Sequence, residues 1–174
     1  MRKILTLSLS LLFLATIASA EEAKKPLSPP AKAEATIGGK KITVDYSAPS
    51  KRNRVIMGEL VPYGNVWRTG ANAATTLTTE SALMIGSIHA PAGTYTLYTI
   101  PGEKEWTLIV NKQTGQWGTK YDEAQDLGRT KMTVNPVKDT VETFVIAIKP
   151  VSEKNGLLTL TWENTQASVP VVVH

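Results

Sequence analysis

The sequence predicts an all-β fold, namely an antiparallel β-sandwich or, as an alternative, a partly closed β-barrel, with two long irregular loops. Three observations support this prediction. Short runs of alternating apolar and polar residues recur along the chain, turn-forming glycine and proline residues separate these runs, and no segment beyond residue 20 carries an apolar stripe at helical spacing. Because no helix is available to cross over between strands, we expect neighbouring strands to run antiparallel.

Residues 1–20 are typical of a secretory signal peptide. Arg2 and Lys3 give a basic start, residues 4–17 form an apolar run, and residues 18–20 are the small residues that signal peptidase recognises. The run is too short for a typical transmembrane helix, and the chain has no cysteine for a lipid anchor. We therefore expect an exported protein, periplasmic or extracellular, with no membrane span after cleavage. An uncleaved membrane anchor is the alternative.

The remainder of the chain is predicted to hold a short lead-in and one domain. Residues 21–33 contain three prolines and few large apolar residues, which favours a flexible segment. Residues 34–174 are enough for a single β-sandwich domain with its own core. Because the chain lacks cysteine, the stability of this domain must come from packing and backbone hydrogen bonds rather than from disulfides.

The charge of the chain argues against nucleic acid as a partner. The sequence has 19 Lys and Arg against 15 Asp and Glu, and removal of Arg2 and Lys3 with the leader leaves 17 against 15, a formal charge of +2. The charges are interspersed and form no basic stripe. We interpret the basic run at residues 51–54 as a solvated loop and not as a phosphate clamp.

Alternation places the strands in order along the domain. In the first strand, Ile42, Val44 and Tyr46 share one face, while lysine, threonine and aspartate occupy the other. The enrichment of the chain in Thr, Val and Ile fits this strand-rich pattern. The predicted strands span residues 40–46, 73–79, 82–85, 93–100, 105–111, 131–135, 141–149, 157–163 and 167–173.

Four apolar faces within these strands are predicted to form the core. They are Tyr95 with Leu97, Trp106 with Leu108 and Val110, Phe144 with Ile146 and Ile148, and Leu158 with Leu160 and Trp162. Turn-forming pairs at residues 38–39, 101–102 and 155–156 separate neighbouring strands and favour hairpins.

Two stretches, residues 57–72 and 111–129, break the strand pattern and are predicted to be irregular loops. Loops of this length on a rigid sheet are often functional. Both hold aromatic residues together with arginine and asparagine or aspartate, a combination that supplies flat apolar contact and fixed polar groups for a polar ring or a carboxylate. The candidate ligand-binding residues are Tyr63, Trp67, Arg68, Asn72, Trp117, Tyr121, Asp122 and Arg129.

The same residues also have a structural interpretation. Trp67 would then plug the end of the sandwich, Arg68 would hold its loop by bonding backbone carbonyls and Asp122, and Asn72 would occupy a turn. Both interpretations are open at the level of the sequence.

No complete catalytic or metal-binding set is present in the sequence. It contains two histidines, His89 and His174, and no cysteine, so it indicates neither a Ser-His-Asp triad nor a zinc site with three or four nitrogen and sulfur ligands. Asp122, Glu123 and Asp126 lie close together but lack the spacing of a calcium loop. We therefore expect no metal and no cofactor. A glycan hydrolase that uses Asp122 or Glu123 is an alternative.

Several motifs carry a family resemblance. They are residues 44–47 with Pro49 and Ser50, the block 60–72 followed by residues 74–76, residues 91–95, residues 100–102, Trp106, Asn111, and Trp117-Gly118 followed by Tyr121-Asp122. Together they resemble a family of exported bacterial proteins called domain of unknown function 2911, over nearly the whole predicted domain. Two positions depart from the family pattern, because Ala48 stands where the family favours arginine and Asn53 where it often has glycine. The resemblance implies a compact exported domain in a bacterial envelope or extracellular setting, and since the family is uncharacterised it implies no activity, substrate or catalytic residue.

These observations favour a non-enzymatic envelope protein that binds a polar small molecule, a glycan or a peptide. The alternatives are the glycan hydrolase and an assembly protein that docks on an envelope partner through an exposed sheet edge. The valine-rich segment 169–173 is a candidate for such an edge, with Pro170 limiting its pairing. The simpler interpretation is that this segment is the last strand of the sheet.

Overall fold

The computed structural model describes residues 26–174, so the predicted signal peptide and residues 21–25 of the predicted lead-in lie outside the described residues. Nine strands and one 3₁₀ turn are found in this region. The strands are β1 Pro30–Ile37, β2 Lys40–Ser47, β3 Thr75–Thr79, β4 Leu83–Ile85, β5 Ile88–Ala90, β6 Gly93–Ile100, β7 Glu105–Asn111, β8 Asp126–Pro150 and β9 Asn155–Val173, and the 3₁₀ turn spans Glu123–Gln125.

These strands form one antiparallel sheet in the order β1-β2-β3-β6-β7-β8-β9-β4-β5. The prediction of an all-β, antiparallel fold is therefore confirmed. The edge strands β1 and β5 do not pair with each other, so the sheet over residues 26–174 is not closed into a barrel. Both edge strands instead lie beside β8, and the sheet thus curls over a common core, an arrangement consistent with the predicted sandwich.

The two longest strands carry the sheet around this core. β8 and β9 pair along most of their length, with register shifts between Pro136 and Val141 and between Val141 and Val145. Irregularities of this kind bend a strand and increase its twist. The sequence predicted two separate strands in each case because residues 136–140 and 164–166 interrupt the alternation, although both stretches lie within the long strands.

Strand β1 corrects the predicted lead-in. It begins at Pro30, opposite Ser47 of β2, and continues through Ala33, opposite Val44, so residues 30–33 belong to the sheet and not to a flexible segment. The inward residues of this strand include alanines, whose weak apolar contrast hid the alternation. The three-residue strand β5 was also absent from the prediction, whereas β4, which has the same length, was predicted.

The core is formed by the inward faces of the strands. Every residue of the four predicted faces is buried, which confirms that part of the prediction. Three large aromatic residues among them, Trp106, Trp162 and Phe144, are each at most 2% exposed. Burial of a large apolar side chain contributes about 1.5–3 kcal/mol, so these three aromatic residues form a strongly stabilised block of the core.

The valine-rich segment 169–173 is the end of β9 and not an exposed edge. Strand β4 pairs with it, from Leu83 opposite Val173 to Ile85 opposite Val171, and the side chains of Val171 and Val173 are buried. The hypothesis that this segment docks a partner is therefore wrong, because β4 already occupies its hydrogen-bonding edge.

The bounds of both irregular loops differ from the prediction. The connection between β2 and β3 covers residues 48–74 and is longer than the predicted 57–72. The other loop covers residues 112–125 and ends in the 3₁₀ turn, because Arg129 of the predicted loop pairs with Ile109 as part of β8. These two connections are called the first loop and the second loop below.

Candidate functional site

The first loop is tied to the sheet at Trp67 and to the second loop at Asn72. The Trp67 amide donates to the Thr99 carbonyl at 2.7 Å, and the Thr99 amide donates to the Trp67 carbonyl at 2.9 Å. The Gly118 amide donates to the Asn72 carbonyl at 3.0 Å. The residues between these two attachments, including Arg68, are therefore held on a backbone that is fixed at both ends.

The indole of Trp67 packs against three aromatic residues of the core. It stacks on Trp162 with ring centroids 5.9 Å apart and an interplanar angle of 19°, and it contacts Trp106 and Phe144 in edge-on arrangements at 6.2 and 5.0 Å. Offset and edge-on pairs of this kind are the favourable geometries for aromatic rings. Trp67 is nevertheless only half-buried, and the rest of its surface lines the cavities described below.

Arg68 lies across Gly118 with its guanidinium uncommitted. A Cβ atom built on Gly118 would come within 2.6 Å of the Arg68 Cδ, so the absence of a side chain there makes room for the arginine stem. Across residues 26–174 the Arg68 guanidinium forms no hydrogen bond or ion pair, and its Nε is buried without a partner. The expected bond to Asp122 is not formed, because that carboxylate accepts from the Ala124 amide at 3.0 Å and caps the 3₁₀ turn.

The backbone next to Arg68 is strained. Thr69 has φ 53° and Asn72 has φ 57°, the left-handed region that a β-branched residue such as threonine rarely adopts. Such residues cost about 1–3 kcal/mol each and concentrate at functional sites. The surroundings hold the strained turn in place, because the Thr75 hydroxyl donates to the Thr69 carbonyl at 2.8 Å and the Thr69 and Thr99 hydroxyls hydrogen-bond at 3.1 Å.

Two cavities meet at Trp67 and Arg68, which line both. The first cavity has a volume of about 270 Å³ and lies between the first loop, the residues just before β1 and Trp162. The second has a volume of about 190 Å³ and lies between Trp67, Arg68 and residues of β6 and the second loop, including Tyr98 and Tyr121. The side chain of Arg68 therefore forms a wall shared by the two cavities.

The first cavity is also lined by Arg52 and Arg54. Arg54 donates from Nε to the Lys51 carbonyl at 2.9 Å and from Nη2 to the Ser50 carbonyl at 2.7 Å, and Arg52 donates to the Leu27 carbonyl. These bonds orient both guanidinium groups but leave their charges unneutralised. Arg52, Asn53 and Arg54 are exposed, as expected for a solvated loop, and Arg52 and Arg54 also line the first cavity.

Tyr121 and Arg129 belong to a hydrogen-bonded network around Asp126. The Tyr121 hydroxyl donates to Asp126 Oδ2 at 2.7 Å, Arg129 Nε donates to the same oxygen at 2.9 Å, and Asn111 Nδ2 donates to Oδ1 at 2.8 Å. Arg129 also pairs with Glu123 at 2.7 Å. Burial, and then the hydrogen bond to Asp126, raise the pKa of Tyr121 to about 12. This network fixes the end of the second loop on β8.

The predicted ligand-binding residues separate into two groups. Trp67, Arg68 and Tyr121 come together at the second cavity. The remaining five line neither cavity and are Tyr63, Asn72, Trp117, Asp122 and Arg129. Of these, Asn72, Asp122 and Arg129 hold the loops by hydrogen bonds, and the side chain of Trp117 is 54% exposed.

Residues that the sequence did not single out for binding also line the cavities. Tyr98 lines the second, and Trp162, Arg52 and Arg54 line the first. Tyr98 and Trp162 lie in predicted strands, where alternation indicates core or surface but not a cavity wall. The arginines occupy a charge run, a pattern that is typical of solvent-exposed loops.

The cavities offer cations and aromatic faces rather than carboxylates. Among the described residues that line the two cavities there is no Asp and no Glu. No group of three or more His, Cys, Asp or Glu side chains suited to a metal ion occurs in residues 26–174. The pair of facing carboxylates that a glycan hydrolase requires is therefore not found at either cavity.

The fold and the site define an all-β protein with an arginine- and tryptophan-lined loop site at one end of its sheet. The chain belongs to the protein family of unknown function DUF2911, whose sequence profile matches residues 28–171. The resemblance noted in the sequence is thereby confirmed. Comparison with curated proteins and with solved structures gave no match. Within the described part of the chain no helix is long and apolar enough to cross a membrane.

Proposed function

We propose that this protein is an exported, non-enzymatic binding module of the bacterial envelope, which holds a small polar ligand against Trp67 and Arg68. The observation that carries the proposal is that the Arg68 side chain lacks hydrogen-bond and ion-pair partners. Arg68 lines two cavities, and its guanidinium has no partner within residues 26–174. A partly buried arginine of this kind is costly unless a ligand or water supplies its hydrogen bonds, and it is suited to grip a polar group in a bidentate pair.

The surroundings of Arg68 support a preformed site. Trp67 is positioned by two backbone hydrogen bonds to Thr99 and by its aromatic contacts in the core. The strained backbone at Thr69 and Asn72 is kept in place by neighbouring hydrogen bonds. Because the site is ordered before any ligand arrives, binding would lose little conformational entropy.

The chemistry of the cavities favours binding over catalysis. Neither cavity, as far as the described residues line it, offers a carboxylate or histidine for general acid or base work. Arginine and tryptophan can orient and hold a ligand, but they supply neither a nucleophile nor a proton donor in the usual pH range. The export of the protein and its place in the envelope rest on the signal-peptide pattern of residues 1–20.

A thermal-shift screen of the purified protein tests the proposal. The panel holds envelope sugars, peptidoglycan fragments, amino acids and organic anions. A ligand at a hundred times its Kd stabilises the fold by about 2.7 kcal/mol, which raises Tm by roughly 5–10 °C for a domain of this size. The shift should vanish in Arg68→Met, which keeps most of the stem over Gly118, and persist in the matched control Lys104→Met in an exposed hairpin turn. A ligand whose shift is unchanged in Arg68→Met would rule out this site.

A further inference from the structure

The lining of the first cavity indicates a narrower class of ligand. This inference rests on the proposed binding function. We infer that the first cavity takes a small organic anion, a carboxylate or a phosphate monoester, carried on a flat apolar body. Three features of the cavity point to this class, namely its charge, its free donors and its aromatic wall.

The charge around the first cavity is positive. Its lining contains the three arginines Arg52, Arg54 and Arg68, and the described residues that line it include no carboxylate. Two acidic side chains contact the loop that carries Arg52 and Arg54, but neither lines the cavity. Glu163 pairs with Lys51 at 2.8 Å and Glu142 accepts the Arg52 amide at 2.8 Å. Over residues 26–174, the salt bridges include none to any of the three arginines, so an anion would be their first counter-charge.

The arginines keep donors for a ligand. A guanidinium has five N–H groups, of which Arg54 uses its Nε and Nη2 on the Ser50 and Lys51 carbonyls. Arg52 uses one nitrogen on the Leu27 carbonyl, and Arg68 uses none on any residue of the described chain. Bonds to carbonyls fix the direction of a guanidinium without neutralising it. The remaining N–H groups are suited to the paired oxygens of a carboxylate or phosphate.

The rest of the cavity wall is mostly apolar, with Ser28 and Ser50 as its uncharged polar members. Trp67 and Trp162 both line it and stack on each other with an interplanar angle of 19°. Because Trp162 is only 2% exposed, the half-buried Trp67 supplies the aromatic surface that a ligand can reach. Leu60, which is 47% exposed, adds apolar surface. A fully hydrated inorganic ion would leave this wall without contact, whereas a planar apolar body would cover it. The cavity of about 270 Å³ is smaller than those that hold drug-sized ligands, which points to a ligand of about one ring.

The backbone strain at Thr69 supplies an independent indication. The strained turn lies directly after Arg68 and lines the same cavity through Gly70 and Ala71. Strain of this kind is typical of positions where the backbone is held to serve a bound group.

Isothermal titration with matched probes tests the inference. Phenyl phosphate and benzoate carry the anion, benzyl alcohol is the neutral counterpart, and methyl glucoside represents a neutral sugar. We expect at least one anion to bind about ten- to a hundredfold more tightly than benzyl alcohol, because charge-assisted hydrogen bonds have that strength. The affinity of the anion should fall with added NaCl. Which of the two anions binds more tightly distinguishes a carboxylate from a phosphate ligand.

Variants locate the anion in the first cavity. Arg68→Met and Arg54→Met should each weaken binding about tenfold or more, and Lys104→Met should leave it unchanged. Circular dichroism and Tm of each variant establish that it folds. If Arg54→Met binds the anion as the parent protein does, the first cavity is not the anion site and the inference fails.

The outcomes separate the inference from the proposed function. If methyl glucoside or another neutral compound binds as tightly as the anions, and its binding is lost in Arg68→Met, the protein is a binding module but its ligand is not an organic anion. If no compound of either class binds to the folded protein, both the inference and the proposed binding function are rejected.

Discussion

Arg68 and Gly118 are matched to each other across the two loops. The arginine stem occupies the space where a side chain at position 118 would stand, and a Cβ atom there would lie 2.6 Å from Arg68 Cδ and 2.8 Å from the Asn72 carbonyl oxygen. The second loop thus holds Arg68 in place through the smallest residue available. This contact joins the first loop to the second loop. We therefore expect the site to be most sensitive to substitution at these two residues.

Gly118→Ala should therefore disturb both stability and binding. The new methyl group meets backbone as well as a side chain, so we expect a loss of about 1–3 kcal/mol in the free energy of unfolding, as for overpacked cores. The displaced Arg68 should also weaken ligand binding. Urea unfolding and titration measure the two effects.

Gly115→Ala is the matched control for this change. Gly115 lies in the same loop with φ 80°, and a Cβ atom added to it would have no other atom within 4 Å. Its substitution should cost about 1 kcal/mol through backbone strain alone and leave affinity unaltered. Equal losses of affinity in the two variants would show that loop strain, and not the contact with Arg68, governs the site.

A second prediction concerns the dual role of Trp67. Because its indole packs on Trp106, Phe144 and Trp162, Trp67→Ala should lower the free energy of unfolding by about 3 kcal/mol, the lower end for a deleted tryptophan since this one is half-buried. Trp67→Phe keeps an aromatic ring and should lose less than half of that. Denaturant unfolding followed by circular dichroism measures both variants. If Trp67→Ala lowers the free energy of unfolding by less than about 1 kcal/mol, the packing of Trp67 against the core does not stabilise the fold as proposed.

The contrast between Trp67 and its loop shows what the sequence could predict. The apolar core faces of β6 and β7 were predicted residue by residue from the alternation of the sequence, although the opposite faces are also buried at Tyr98 and Ile109. Trp67 and Arg68 stood out by composition. Their neighbours Arg52 and Arg54 did not, because a charge run has no periodicity that distinguishes a cavity wall from a solvated surface.

The path of the first loop could not be predicted for a physical reason. Its positions are set by contacts with residues far along the chain, such as the pairing of Ser50 with Thr143 and the bond from the Arg52 amide to Glu142. No local pattern encodes such contacts. The same holds for β1, whose small alanine side chains give little signal although its backbone pairs fully with β2.

A third prediction follows from the network around Tyr121, whose pKa is raised to about 12 by burial and then by its hydrogen bond to Asp126. The raised pKa means that the protonated phenol is favoured in the folded state. Its stabilising contribution is complete below the unfolded pKa of about 10 and is lost as pH rises from about 10 to 12. Because the side chain is partly exposed, we expect a contribution of about 1–2 kcal/mol.

The comparison of the parent protein with Tyr121→Phe between pH 8 and pH 11 isolates this contribution. The parent should lose stability faster than the variant as pH rises, so that the difference in free energy of unfolding shrinks at the alkaline end. Because burial also raises the pKa of Tyr95, only the difference between the two proteins reports on Tyr121. Parallel pH profiles would show that the pKa of Tyr121 is not raised in the folded state.

Glu163 gives the corresponding prediction at acid pH. Burial is the largest single influence on the pKa of Glu163 and raises it. The hydrogen bonds from Lys51 and from the Met57 and Ile56 amides, together with the positive charge of Lys51, lower the pKa by more, so the net shift is downward. The carboxylate is therefore favoured in the folded state. Its contribution is present above the unfolded pKa of about 4.5 and is lost as pH falls below that value.

Through these bonds Glu163 holds the start of the first loop, with Lys51 at 2.8 Å and the Ile56 amide at 3.2 Å. Glu163→Gln keeps the shape but removes the charge, so we expect a loss of about 1–3 kcal/mol at pH 7 that shrinks as pH falls below about 4.5. Lys51→Met should lose part of the same contribution, and Glu105→Gln, from an exposed ion pair with Lys131, should lose under about 0.5 kcal/mol. Urea unfolding at pH 3, 5 and 7 measures all three. If Glu163→Gln is destabilised equally at every pH, the charge of Glu163 does not help to hold the loop that carries Arg52 and Arg54. The shape of the side chain would then be sufficient.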